Sequence, residues 1–145
     1  MNITLIDSHP VLRVGMSLLL TESYINSKVC QEDCLVRYSE AAAEKKCDLV
    51  IIGLSEENSE VNASLIVKIR SQSPGTEIII LAGRGHDVSA FAAISSGAKG
   101  YILKNNDLSE VLSCINSVMN GKRYLCREMA EILTLQYPEF FAAEA

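Results

Sequence analysis

Short runs of apolar residues, separated by segments with helical periodicity, are the feature of this sequence that most limits its fold. Four clear runs are Ile3–Ile6, Leu49–Leu54, Glu77–Ala82 and Gly100–Leu103. A fifth, weaker run lies at Ser27–Gln31. Runs this apolar are typical of strands that are buried on both faces, because such strands need not alternate polar and apolar residues. The sequence therefore predicts an α/β fold, a parallel sheet covered by helices on both sides.

Five helices are predicted between and after these strands. The first begins at His9-Pro10 and runs to about Ser23. Proline is tolerated at the start of a helix because the N–H that it lacks would have no partner within the helix there. Asp107 is the predicted N-cap of the fifth helix, and Gly121 is its predicted C-cap. The remaining predicted ranges are Cys34–Glu44 for the second helix, Asn62–Gln72 for the third, Asp87–Ser96 for the fourth and Leu108–Asn120 for the fifth.

The charge and hydropathy of the chain argue against several classes of protein. Its 145 residues include 13 basic and 18 acidic side chains, for a net charge of −5, and no Lys/Arg cluster occurs. Nucleic-acid binding by this chain alone is therefore not expected. The apolar runs are far shorter than the roughly 20 residues of a membrane-spanning helix, and the N-terminus does not resemble a signal peptide. We expect one cytoplasmic domain with no membrane contact.

The cysteines predict neither a disulfide framework nor a zinc site. They are odd in number and lack C-x-x-C spacing, which favours free thiols. The alternative is that Cys30 and Cys34 form a redox pair or part of a soft-metal site. The full set is Cys30, Cys34, Cys47, Cys114 and Cys126.

The pattern changes after Gly121. A short helix is predicted over about Arg127–Gln136, followed by Pro138 and a tail with two adjacent aromatic residues. We therefore divide the chain into a domain over residues 1–122 and a C-terminal linker or extension helix over residues 123–145.

Three stretches of the chain resemble one known family. They are Leu5–Pro10, Asp48–Leu54 and Ser96–Lys104, and the last contains the pattern Gly-Ala-x-Gly-Tyr-x-x-Lys. The chain is similar to the receiver domain of response regulators, in the NarL/FixJ/LuxR-type subfamily. The resemblance implies a flavodoxin/CheY-like doubly wound sheet of five parallel strands, in the order 2-1-3-4-5, with five helices and a short helical extension. It also implies that DNA is contacted only through a C-terminal domain outside these residues.

The resemblance also assigns a phosphorylation pocket, which this sequence matches only in part. Family members bind Mg²⁺ with two acids after strand one and an aspartate after strand three, and that aspartate accepts the phosphoryl group. A Thr or Ser after strand four and a Lys after strand five hold the phosphoryl oxygens. Asp7 and Lys104 keep the family residue. The second acid is replaced by Ser8, the acceptor aspartate by Gly53 and the Thr or Ser by Ala82. The chain is expected to be a degenerate pseudo-receiver, with no catalytic residue, metal or cofactor.

Two residues of this pocket carry further expectations. The resemblance places Asp7 and Lys104 close together at the carboxyl ends of their strands. There they form either an ion pair or two solvated rim residues whose pairing is worth about 0–1 kcal/mol. Tyr101 matches the switch aromatic of the family. We favour a Tyr101 ring locked inward, because Ala82 leaves room for it, and the alternative is an ordinary half-buried tyrosine.

The first and fifth helices carry more apolar residues than a core-facing stripe requires. The resemblance implies that these two helices lie side by side, so together they would form one surface for a homodimer with two-fold symmetry. The alternatives are an interface of helix four, strand five and helix five, a surface covered by the extension, or scattered hydrophobic residues. The interface candidates are Val11, Val14, Leu18, Leu108, Leu112 and Met119.

These features predict a regulatory domain of a LuxR-type transcription regulator. It would work without phosphorylation, through dimerisation or through a heteromeric regulator partner, and would not be an enzyme. The alternative is a small-ligand sensor that uses the vacated pocket at the carboxyl ends of the strands, where open α/β sheets place their sites. A flavodoxin-like enzyme is the weakest reading, because no nucleophile or acid/base pair converges there.

Overall fold

The computed structural model describes residues 1–41, 44, 46–54, 63–83 and 92–138, except for the side chain of Val36. Strands and helices alternate along the chain. They are β1 (Asn2–Ile6), α1 (Pro10–Ser23), β2 (Lys28–Glu32), α2 (Leu35–Glu40), β3 (Leu49–Gly53), α3 (Ala63–Gln72), β4 (Glu77–Ala82), α4 (helical at residues 92–95), β5 (Gly100–Leu103), α5 (Leu108–Met119), β6 (Tyr124–Leu125) and α6 (Arg127–Gln136).

All strands belong to one parallel sheet in the order β2-β1-β3-β4-β5-β6. The predicted α/β class and the order of the first five strands are confirmed. The centre of the sheet is apolar throughout, since β3 and β4 are buried along nearly their whole length. Buried strands of this kind require helices on both faces. On one face α1 and α5 adjoin, because Tyr24 Oη donates to Asn116 Oδ1 at 2.9 Å.

The sheet has one strand more than the sequence predicted. Tyr124 N–H donates to Lys99 O at 2.8 Å and Cys126 N–H donates to Tyr101 O at 3.1 Å, which attaches β6 to β5. Two residues carry no periodicity, so the strand was not recognisable in the sequence. The extension predicted from residue 123 onward therefore begins with a strand of the same sheet.

Most helices follow their predicted ranges. The range of α1 agrees with the prediction, and the predicted N-cap of α5 is present, since Asp107 accepts the Glu110 N–H at 3.0 Å. The C-cap of α5 is Asn120, and Gly121 follows it with φ +79°. The second helix is shorter than predicted. It ends at Glu40, because Ala41 leaves the helical conformation and donates its N–H to Tyr38 O. Residues 62 and 87–91 of the third and fourth predicted helices lie outside the described residues.

Within the described ranges, none of the helices has the length and apolar character that crossing a membrane requires.

Candidate functional site

Four parallel strands end at one edge of the sheet and bring the predicted pocket residues together. Asp7 follows β1, Gly53 ends β3, Ala82 ends β4 and Lys104 follows β5. The register pairs Gly53 with Leu81 and Ala82 with Leu103, and the Lys104 N–H donates to Ala82 O at 2.8 Å. Open α/β sheets place their sites at this edge.

Asp7 is held by both of its carboxylate oxygens. Its side chain is only 1% exposed, and Oδ1 accepts the His9 N–H at 2.7 Å and lies 3.2 Å from His9 Nδ1. The other oxygen, Oδ2, lies 3.0 Å from Lys104 Nζ, and the Lys104 side chain is 18% exposed. The Asp7 carbonyl accepts a hydrogen bond from Arg13 at 2.6 Å. Of the two arrangements left open by the sequence, the buried ion pair is the one present.

The ion pair holds two atoms that have lost contact with water. Asp7 Oδ2 and Lys104 Nζ are both inaccessible to solvent, and neither makes a hydrogen bond of suitable geometry to any residue in the described ranges. Their mutual attraction is therefore what offsets the cost of removing each charge from water.

The Asp7 carboxylate fills the space beside Gly53. A Cβ atom at Gly53 would lie 1.8 Å from Asp7 Oδ2 and 2.7 Å from Asp7 Cγ. Real Cβ atoms do not approach another heavy atom this closely, so any larger residue at position 53 would have to displace the carboxylate. Glycine at position 53 and the ion pair are thus two parts of one arrangement.

The residues present do not fit Mg²⁺, which requires several oxygen ligands in octahedral geometry. Gly53 offers no side chain, Ser8 is exposed, and a lysine ammonium occupies the remaining oxygen of Asp7. No group of three or more His, Cys, Asp or Glu residues able to hold a metal occurs in the part of the chain that the structure describes. The acids Glu56 and Glu57 lie outside that part.

The Tyr101 side chain lies inside the protein and is fully buried, as is Ala82. The neighbouring Gly100 faces α5, because a Cβ there would lie 2.8 Å from Cys114 Sγ. Side chains alternate along a strand, so Tyr101 and Leu103 lie on the opposite face of the sheet. The structure thus places Tyr101 in the inward position that the sequence analysis favoured.

The last helix, α6, covers the face of β5 that carries Tyr101 and Leu103, at the carboxyl edge of the sheet. Met129 and Leu133 of α6 are buried in the core. Their neighbour Ile132 lines, with Met129, a cleft of about 420 Å³ whose opposite wall includes Ala82 and Leu103. The sequence analysis missed this contact, although the spacing of Met129 and Leu133 is the one that places two side chains on one face of a helix.

The predicted interface residues differ in exposure. Three residues of α1 are exposed to an unusual degree for apolar side chains: Val11 at 86%, Leu18 at 63% and Val14 at 46%. On α5, Met119 is exposed, whereas Leu108 and Leu112 are half-buried. Leu112 packs against the core. Among the predicted interface residues, the exposed ones therefore lie mainly on α1.

All five cysteines are free thiols. Burial raises the pKa of Cys114 to about 12 and that of Cys126 to about 11. Cys30 is exposed and Cys34 half-buried, and they belong to β2 and to the start of α2. These thiols form no disulfide.

The parallel sheet, its strand order and the pocket at the strand ends together define a receiver-type regulatory domain. Residues 3–116 match the response regulator receiver domain family, and the chain belongs to it.

Its similarity extends to longer regulators. The oxygen regulatory protein NreC of Staphylococcus epidermidis is 28% identical over 137 residues, which cover 94% of this chain and 63% of that protein. A LuxR-family two-component response regulator from Aurantimonas sp. SI85-9A1 has a similar structure, with a TM-score of 0.80 and 24% identity over 93% of this chain and 96% of that chain. A structure of two RcsB dimers bound to two parallel DNAs has a TM-score of 0.76 at 19% identity, covering 92% of this chain and 67% of that one. The chain spans less than two thirds of the length of NreC.

Proposed function

We propose that this chain is a pseudo-receiver, a regulatory module of a LuxR-type transcription regulator that works without phosphorylation by associating with a second copy of itself. The observation that carries the proposal is the position of the Asp7 carboxylate. It lies where the side chain of a phospho-acceptor at position 53 would begin, and it is paired with Lys104.

The chemistry of the family supports this proposal. A receiver needs a carboxylate at the end of β3 to attack the phosphoryl donor, and glycine offers no nucleophile. The lysine that would hold phosphoryl oxygens already holds an anionic group of the same chain, at 3.0 Å. We therefore infer that phosphorylation does not switch the domain, and that it is not an enzyme and needs no cofactor. A cytoplasmic location is part of the proposal.

The cluster of exposed apolar residues on α1 supports self-association through α1 and its neighbour α5. Val11, Val14 and Leu18 are exposed on α1, whereas the face of β5 that carries Tyr101 is covered by α6. An interface that used α4, β5 and α5 would have to displace part of this cover. The RcsB dimers on DNA provide a precedent at the level of fold. Any contact of this protein with DNA would be made by a further domain.

A small-ligand sensor is the second candidate, and the cleft of about 420 Å³ between α6 and the ends of β4 and β5 supports it. Its walls combine the apolar Leu103 and Met129 with the polar Asn105 and Glu128. Against it, Lys104 Nζ is buried and already paired. A ligand that raised the melting temperature of the purified protein would favour this candidate.

Light scattering coupled to size exclusion tests the proposed function. We expect a dimer whose mass is the same with and without beryllofluoride and Mg²⁺, because no acceptor carboxylate is available to bind the phosphoryl mimic. Dimerisation that occurred only after the mimic was added would show that the pocket still works, and the proposal would be wrong.

Single substitutions locate the interface in the same experiment. Val11→Asp and Leu18→Asp should each give a folded monomer, because each places a charge in the centre of the proposed apolar contact. Val67→Asp is the matched control, since Val67 is equally apolar and 52% exposed but lies on α3. A dimer that survives both α1 substitutions and is lost with Val67→Asp would place the interface elsewhere.

A further inference from the structure

The contact between α6 and the strand ends is small and lies beside the ion pair. The α6 helix runs over Arg127–Gln136, and its two buried side chains are Met129 and Leu133. A helix of this length is marginal by itself in water, so it depends on its docking site for stability. Lys104, half of the ion pair, lines the same cleft as Met129.

The turn that follows Lys104 forms part of the cleft wall that faces α6. Asn106 closes this turn: its Oδ1 accepts the Leu103 N–H at 2.8 Å, and its own N–H donates to Leu103 O at 3.1 Å. Glu128, in the first turn of α6, lines the cleft together with Lys104 and Asn105. The turn after Lys104 and the first turn of α6 are thus two walls of one cleft.

The strand that precedes α6 is held by hydrogen bonds. The strand β6, which leads into α6, is bonded to β5, and the Tyr124 hydroxyl donates to Glu110 Oε1 of α5 at 2.8 Å. A helix that left its docking site would therefore remain attached to the sheet by β6. The hinge would lie near Cys126, whose side chain is fully buried while α6 is docked.

We propose that α6 is a latch whose docking across the ends of β4 and β5 depends on the Asp7–Lys104 ion pair, so that separating the pair releases the helix. The turn after Lys104 would transmit the change, because Lys104 and Asn105 form the wall of the cleft that faces Met129 of α6. Release would uncover the face of β5 that carries Tyr101. The domain would then have an internal switch that operates without a phosphoryl group.

Thiol labelling of the full chain tests the latch. The Lys104→Met variant and the parent protein are treated with iodoacetamide at pH 8, and each cysteine is followed by peptide mass spectrometry. We expect Cys126 to be alkylated at least about tenfold faster in the variant, because local opening exposes it, while Cys114 stays protected in α5. Lys28→Met is the matched control, since it removes an exposed lysine at the far edge of the sheet.

A second variant tests the turn without removing either partner of the ion pair. Asn106→Ala removes the Oδ1 that accepts the Leu103 N–H and closes the turn, and it should also accelerate alkylation of Cys126 alone. Unchanged labelling of Cys126 in both variants would overturn the latch. Equal acceleration of Cys114 and Cys126 would overturn it as well, because α6 would then open only when the whole domain unfolds. Neither result bears on the oligomeric state measured by light scattering.

Discussion

Replacing Lys104 with methionine should lower the free energy of unfolding by about 3–5 kcal/mol, the usual cost of removing one partner from a buried ion pair. Methionine is apolar and of similar length, so little packing is lost. The loss would come from Asp7, whose Oδ2 would stay buried without its cation. The expected effect is far larger than the 0–1 kcal/mol of a surface pair.

Urea unfolding followed by circular dichroism measures this loss, with Lys122→Met as the control for removing an exposed lysine. The control should change the free energy of unfolding by less than about 0.5 kcal/mol. Adding Asp7→Asn to Lys104→Met should recover part of the loss, because a neutral amide costs less to bury than an unpaired carboxylate. A Lys104→Met protein as stable as the parent would mean that the pair is solvated and contributes little.

Gly53→Ala is expected to lower the free energy of unfolding by at least about 2 kcal/mol, although alanine is usually a mild replacement for glycine in a strand. The new Cβ would lie 1.8 Å from Asp7 Oδ2, so the carboxylate must rotate away from Lys104. The substitution thus combines overpacking with loss of the ion pair.

The matched control is Gly75→Ala, because a Cβ at Gly75 meets no atom within 4 Å. It should change stability little. The mechanism is tested by repeating Gly53→Ala in an Asp7→Ala background, where the obstructing carboxylate is absent and the added methyl group should cost almost nothing. An equal loss in both backgrounds would show that Gly53 is required by its backbone and not by Asp7.

The fold was largely predictable because its signals are local. Apolar runs located β3, β4 and β5, and turn and cap residues such as Pro10, Asp107 and Gly121 located helix ends. The features that the sequence did not predict were either too short or too weakly patterned. The strand β6 has two residues, and α2 is cut short by a tightened turn at Ala41 that no proline or glycine marks.

The site was predictable as a set of positions but not as an arrangement. Parallel strands necessarily bring Asp7, Gly53 and Lys104 to one edge. That the Asp7 carboxylate turns into the space left by Gly53 depends on a side-chain conformation, which no spacing in the sequence encodes. The half-buried state of Leu112 and the burial of Met129 likewise depend on how helices pack across the sheet.

The neutrality of the Asp7–Lys104 pair has a consequence for how such a protein would be controlled. A pocket of several carboxylates repels itself and depends on a divalent counter-ion, whereas one carboxylate and one ammonium sum to zero. Judged by its described groups, this pocket is therefore not expected to respond to the Mg²⁺ concentration. If self-association is the output, its extent follows mass action, and the quantity that varies is the amount of protein in the cell. Synthesis and degradation would then set the strength of the signal.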